Sequence, residues 1–196
     1  MFDILLQAES FVKEFIRESL PTSRCFHTFR HTRSVVDAAE QLAEAFQLPW
    51  AEAEALFVAA WFHATGYARN DVDYINQSIR IGRYYLDNVG SPDDFKILVS
   101  SLIRSTAIGV DPCSLSERIL KDAIGYYLGS PHYFICSQLR RQEIEWSEEI
   151  KYSDQEWVTI NARSLEDHQY HTVFAAQCWG EQKRKNLKML IDLVDH

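Results

Sequence analysis

Along nearly the whole chain the apolar residues recur at intervals of three and four, and the breaks between periodic stretches are short. A period near 3.6 buries one face of a helix, so this pattern predicts an all-α fold of helices joined by brief loops. Ile4, Leu5, Ala8, Phe11, Val12 and Phe15 place a first helix over about Phe2 to Leu20, stopped by Pro21 and Ser23. Val35, Val36, Ala39, Leu42 and Phe46 form the buried stripe of a second, over roughly His27 to Phe46. The third, from Trp50 to about Thr65, ends in LFVAAWFHATG, which is apolar nearly all round and so should run through the middle of the domain. Gly66 reads as its C-cap. Further helices are expected at about 72–88, 92–107, 114–128, 131–150, 153–168 and 172–194. Ser91-Pro92-Asp93-Asp94 and the capping-box pattern Ser114-Leu115-Ser116-Glu117 mark two of the starts. There is no repeat, no low-complexity stretch and no dividing linker, so residues 1–196 read as a single bundle of about eight to nine helices.

A chain of 196 residues that is 46% hydrophobic has apolar material enough for a core that needs neither disulfides nor a structural metal. Its 20 basic and 28 acidic side chains leave a formal charge of −8, which argues against nucleic acid or an anionic membrane as the main partner. Cys25, Cys113, Cys136 and Cys178 form no CxxC pair, so a zinc ribbon and a thioredoxin-like motif both lack their ligands, and reduced thiols are expected. The N-terminal MFDILLQAESFVKEFI is acidic where a signal peptide is basic, and no apolar run reaches the roughly 20 residues that span a bilayer. A cytoplasmic protein without a membrane segment is the expectation. The five tryptophans read as core or interface aromatics, those in the C-terminal helices leaving room for a homodimer contact.

Polar residues inside apolar helices carry more information, because a buried imidazole or carboxylate costs several kcal/mol unless it is paired or bound to a metal. His31 in RCFHTFRHT, His63 in AAWFHATGY and Asp122 in ILKDAIGYYLG stand out. Together they make a candidate nitrogen and oxygen ligand set suited to Zn, Mn or Fe, with Mg less comfortable beside imidazoles. His27 lies four residues before His31, like half of a zinc-protease HExxH, but Thr28 stands where that motif needs its general base, so the protease reading fails. Glu143, Glu145, Glu148 and Glu149 read as an exposed acidic side, and 181–188 as a solvated basic face. Asp167, His168 and His171 form at most a pocket rim.

These segments, in their order and spacing, resemble the HD-domain superfamily of metal-dependent phosphohydrolases, in particular its small stand-alone bacterial branch. Phe26-His27-Thr28-Phe29-Arg30-His31-Thr32 is similar to its Y-H-N-x-x-H-T opening, and Ala59 through Tyr67 to A-A-W-F-H-D-x-G-Y. Ile103 through Thr106 is similar to I-x-x-T, Leu120 through Gly129 to L-K-D-A-D-L-x-x-L-G, and the SDQEW and YHT segments to the family's tail. The resemblance covers most of the chain. It implies an all-helical HD-type bundle whose divalent cation is held by His31, His63, position 64 and Asp122.

Position 64 is alanine, so the doublet that names the superfamily is incomplete. Ile124 replaces the second aspartate of D-A-D, and Tyr74-Ile75 stands where many relatives have His-Glu. Ala64 is open to two readings, a substitution made to trap a substrate or a naturally degenerate member. The intact pattern uses cations to polarise a phosphoryl group and generate hydroxide. His27, Arg24, Arg30 and Lys121 flank the ligand segments and are candidates for the phosphate side of the pocket. One functional expectation is therefore a metal-dependent phosphohydrolase, impaired by Ala64, acting on a nucleotide or another small phosphorylated metabolite. The other is a degenerate HD fold that binds a nucleotide or a protein without turnover; a purely structural scaffold leaves the buried polar residues unexplained.

Overall fold

The computed structural model describes residues 4–69 and 72–194. Among them the chain forms nine α-helices and two 3₁₀ turns, and no strand. The helices are α1 (Ile4–Ser19), α2 (Phe29–Ala45), α3 (Trp50–Phe62), α4 (Tyr74–Asn88), α5 (Asp93–Ser105), α6 (Leu115–Ile124), α7 (Tyr133–Ser147), α8 (Asp154–Asp167) and α9 (Val173–Val194); the 3₁₀ turns are Thr65–Arg69 and Tyr126–Gly129. Phe2, from which the periodicity starts the first helix, lies outside the described residues. No described helix is long and apolar enough to cross a membrane.

The apolar α3 is the axis of the larger core, with α1, α2, α4, α5 and α6 packed around it. From Ala55 to Phe62 every residue of α3 is buried. Its small Ala55, Ala59 and Ala60 admit neighbouring helices closely, and each large side chain it buries contributes roughly 1.5–3 kcal/mol. α2 faces it with Val35, Val36, Ala39 and Leu42. A second, smaller core gathers Phe26, Tyr127, Leu128, Tyr133, Leu165 and Leu190 beside α7, α8 and α9. It is organised by Asn161, whose Oδ1 accepts from Tyr133 (2.8 Å) and Ser137 (3.0 Å), while the indole of Trp157 donates to Ser137 Oγ (2.9 Å).

One local reading needs correction. Gly66 does not cap α3, because the chain continues into the first 3₁₀ turn rather than leaving through a left-handed residue. Glycine is required there for close approach: a Cβ would sit 1.9 Å from the carbonyl oxygen of Tyr74. The Gly66 amide donates to Ser78 Oγ (2.9 Å), which itself donates to the His63 carbonyl (3.0 Å), so the segment after α3 is latched onto α4. Of the tryptophans, Trp61 and Trp157 are buried in the core, and Trp50 and Trp146 are half or more exposed. The Ser114 capping box forms as its sequence pattern demands, and Ser153 with Glu156 makes a second one at the start of α8.

Candidate functional site

The loop before α2, the end of α3 and the inner face of α7 meet at the seam between the two cores, and this junction gathers three histidines. Thr28 caps α2, which sets His31 on the first turn facing inward. His63 follows α3 directly. The His31 and His63 rings lie 5.7 Å apart between centroids, and His27 lies 5.4 Å from His31. His27 also stacks on Tyr67 at 3.8 Å, and Tyr67 on Tyr74 at 4.3 Å, so the 3₁₀ turn after α3 supplies an aromatic wall.

Each ring has a distinct environment. His63 Nδ1 is 2.7 Å from the Ala60 carbonyl, an acceptor only, so that nitrogen carries the proton and Nε2 keeps its lone pair. That Nε2 is buried with no hydrogen-bond partner. Burial drives the His63 pKa down to about 4, against a smaller upward pull from the Ala60 carbonyl. Burial likewise holds His31 well below the usual histidine range, reinforced by His27, His63 and Arg140. His27 is also lowered by burial, with Glu143 acting against it.

Glu143 is the residue that the sequence reading misplaced. It is 3% exposed, not part of an open acidic side. One carboxylate oxygen accepts the backbone N–H groups of Phe26 (2.9 Å) and His27 (3.0 Å), while the other pairs with His27 Nδ1 and lies 3.6 Å from an Arg24 guanidinium nitrogen. Burial raises its pKa, but the bonds from His27 and the two amides outweigh that and leave it below the ordinary glutamate range. Glu145 is also engaged, by Arg141 and the Tyr152 amide, so only Glu148 and Glu149 of the four are exposed. Arg24 lies over the Tyr67 ring at 5.3 Å. Arg140, absent from the sequence-derived candidates, bonds the Tyr127 hydroxyl (2.9 Å) and stands 5.9 Å over Phe26.

The other candidates have partners or surroundings of their own. Asp122 is fully buried, and both its oxygens are taken: Oδ1 by the His171 amide (2.7 Å), Oδ2 by the Thr172 amide (2.8 Å) and hydroxyl (2.7 Å). It thereby secures the start of α9, where Thr172 Oγ1 in turn accepts from the Ala175 amide. Lys121 Nζ lies 3.3 Å from the Ala107 carbonyl, with Asp111 and Glu117 as the charges acting on it. Arg30 is exposed, and its charge acts on Tyr126 and Cys136. Ala64 is buried and offers no donor atom. His168 is lowered to about 4 by burial and by Lys183 and His171, without joining the cluster above.

A divalent cation held as the HD resemblance implies needs the two imidazoles and two carboxylates together. Those donors do not fit it here: position 64 is alanine, which offers no ligand atom, and Asp122 accepts three hydrogen bonds at the start of α9. Among the described residues no group of three or more His, Cys, Asp or Glu side chains is arranged to hold a metal ion. What remains is a cluster of three neutral imidazoles, a buried glutamate and two arginines. It can accept protons and donate hydrogen bonds to an anion.

If Asp122 is a structural anchor, Asp122→Ala should cost about 3 kcal/mol, because three donors at the start of α9 lose their acceptor. Urea unfolding would show this, and metal content should not change; a neutral substitution would remove the anchoring role.

Compared with protein-family models, curated proteins and solved structures, the chain has no significant match.

Proposed function

We propose that this chain is a degenerate HD-like module that binds a small phosphorylated metabolite, nucleotides included, at the His27–Arg24–Arg140 side of the histidine cluster, without metal-assisted turnover. The observation that carries this reading is the missing carboxylate at position 64, beside an Asp122 that holds the start of α9 through three hydrogen bonds. The chemistry of the neighbouring side chains supports it. Arg24 and His27 are tied to the same buried carboxylate, with Arg140 acting on both His27 and His31. Glu143 neutralises one positive charge, and the two guanidiniums leave a positive balance at the seam, as phosphate recognition needs.

A metal-dependent phosphohydrolase remains the second reading, and one observation favours it. The buried lone pair of His63 Nε2, beside His31, is the kind of atom that a cation would satisfy.

Metal analysis and a nucleotide-hydrolysis panel on the chain and on Ala64→Asp separate the two. The binding reading expects Ala64→Asp to hold far less than one ion per chain and to release no phosphate, since one restored carboxylate leaves Asp122 still committed. Stoichiometric metal together with turnover in that variant would establish the enzyme reading instead.

A further inference from the structure

A second site lies between α1, α4 and the first 3₁₀ turn, sharing no residue with the histidine cluster. It is a cavity of about 620 Å³, within the roughly 300–1,000 Å³ of small-molecule pockets. Phe11 and Phe15 form one wall, their rings nearly parallel with centroids 6.2 Å apart. Ile81 and Tyr84 form another, and the Tyr84 side chain is left 62% exposed 6.5 Å from Phe11. The polar lining is Gln77 and two exposed arginines, Arg69 and Arg80.

The charge of this cavity runs against that of the chain. The protein has 28 acidic side chains to 20 basic ones, yet no carboxylate lines the cavity among the described residues. The ion pairs of the described residues engage Arg17, Arg24, His27, Arg33, Lys96, Arg141, Lys151 and Lys185, and neither Arg69 nor Arg80. Arg69 is instead held over the Phe15 ring at 5.9 Å. Two guanidiniums without counter-ions among the described residues, beside an aromatic wall, suit one class of ligand, because a planar ring gains from offset stacking while an anionic group takes the charge-assisted donors.

We infer that this cavity binds a planar aromatic anion, the ring against Phe11, Phe15 and Tyr84 and its carboxylate or phosphate between Arg69 and Arg80. Calorimetric titration with 2-naphthoate, 2-naphthyl phosphate, 2-naphthylmethanol and acetate tests it. At least one aromatic anion should saturate one site per chain, and comparing the two identifies the anionic group preferred. The neutral alcohol and the ringless acetate should each bind at least about tenfold more weakly. Arg69→Ala and Arg80→Ala, both at exposed positions, should each weaken binding about tenfold, with unchanged circular dichroism. His27→Ala should leave it intact, so failure here and failure of the histidine-cluster reading are distinguishable. The inference is overturned if neither aromatic anion saturates, if the alcohol or acetate binds equally well, if both arginine variants bind normally, or if His27→Ala alone abolishes binding.

Discussion

Acidification from pH 7 to 4.5 is expected to cost this protein at least about 2 kcal/mol of stability through His63 alone. In the unfolded chain a histidine takes up its proton near pH 6.5; in the folded protein His63 does so only near pH 4. Between those values the unfolded state binds more protons, so stability is present above about pH 6.5 and declines as pH falls toward 4. That difference is worth about 3 kcal/mol for His63 alone, at 1.36 kcal/mol per pKa unit. His31, held well below the usual range by burial, adds a contribution of the same sign, and His27 and His168 do likewise. The His63 contribution alone is a sizeable share of the roughly 5–15 kcal/mol stability of an ordinary domain. Urea midpoints at pH 7.5, 6, 5 and 4.5 check this. The slope should steepen below pH 6.5 and flatten in His63→Gln; equal midpoints throughout would mean that the imidazoles are not buried in their neutral form.

Glu143→Ala is expected to cost about 3–5 kcal/mol and to disrupt ligand binding at the seam with it. Removal of the carboxylate leaves the Phe26 and His27 amides without acceptors and the His27 ring and Arg24 without their buried partner. Glu143→Gln keeps an acceptor for the amides but loses the charge, so it should recover part of the stability and little of the binding. Thermal unfolding and nucleotide titration of the two variants separate these effects. An alanine variant as stable as the parent would show that Glu143 does not anchor the loop before α2.

The contrast between Glu143 and the histidines shows which parts of the site the sequence makes legible. His31 lies on the first turn of α2 and His63 ends a helix apolar enough to be central, so short-range pattern brings these two to the interior, whereas His27, which the periodicity puts inside the helix, lies in the loop before its cap Thr28. Glu143 sits in EIEWSEE, where the local signal is that of a solvated acidic run. Its burial depends on α7 crossing the loop before α2, more than a hundred residues earlier in the chain. One faint signal was present: Tyr133, Ser137, Arg140 and Glu143 follow helical spacing on one side of α7, and three of them are buried. Asp122 shows the opposite failure. Its burial follows from the apolar pattern of α6, but the amides that claim it lie some fifty residues later, where no periodicity points back to them. The helix order and most boundaries, by contrast, follow from periodicity and caps, which are local. The role of Gly66 is not legible in the sequence, because close approach to Tyr74 is a tertiary fact.

The central claim, that the Glu143-held histidine cluster takes a phosphorylated ligand without a metal, is tested most directly by histidine-selective NMR. A nucleoside diphosphate would be titrated into chelator-treated protein while the imidazole signals are followed. Saturable shifts of His27 and His31, absent in Arg24→Ala and unaccompanied by phosphate release, are the expected result. Signals that stay still until a divalent cation is added, then move as the nucleotide is hydrolysed, would contradict it.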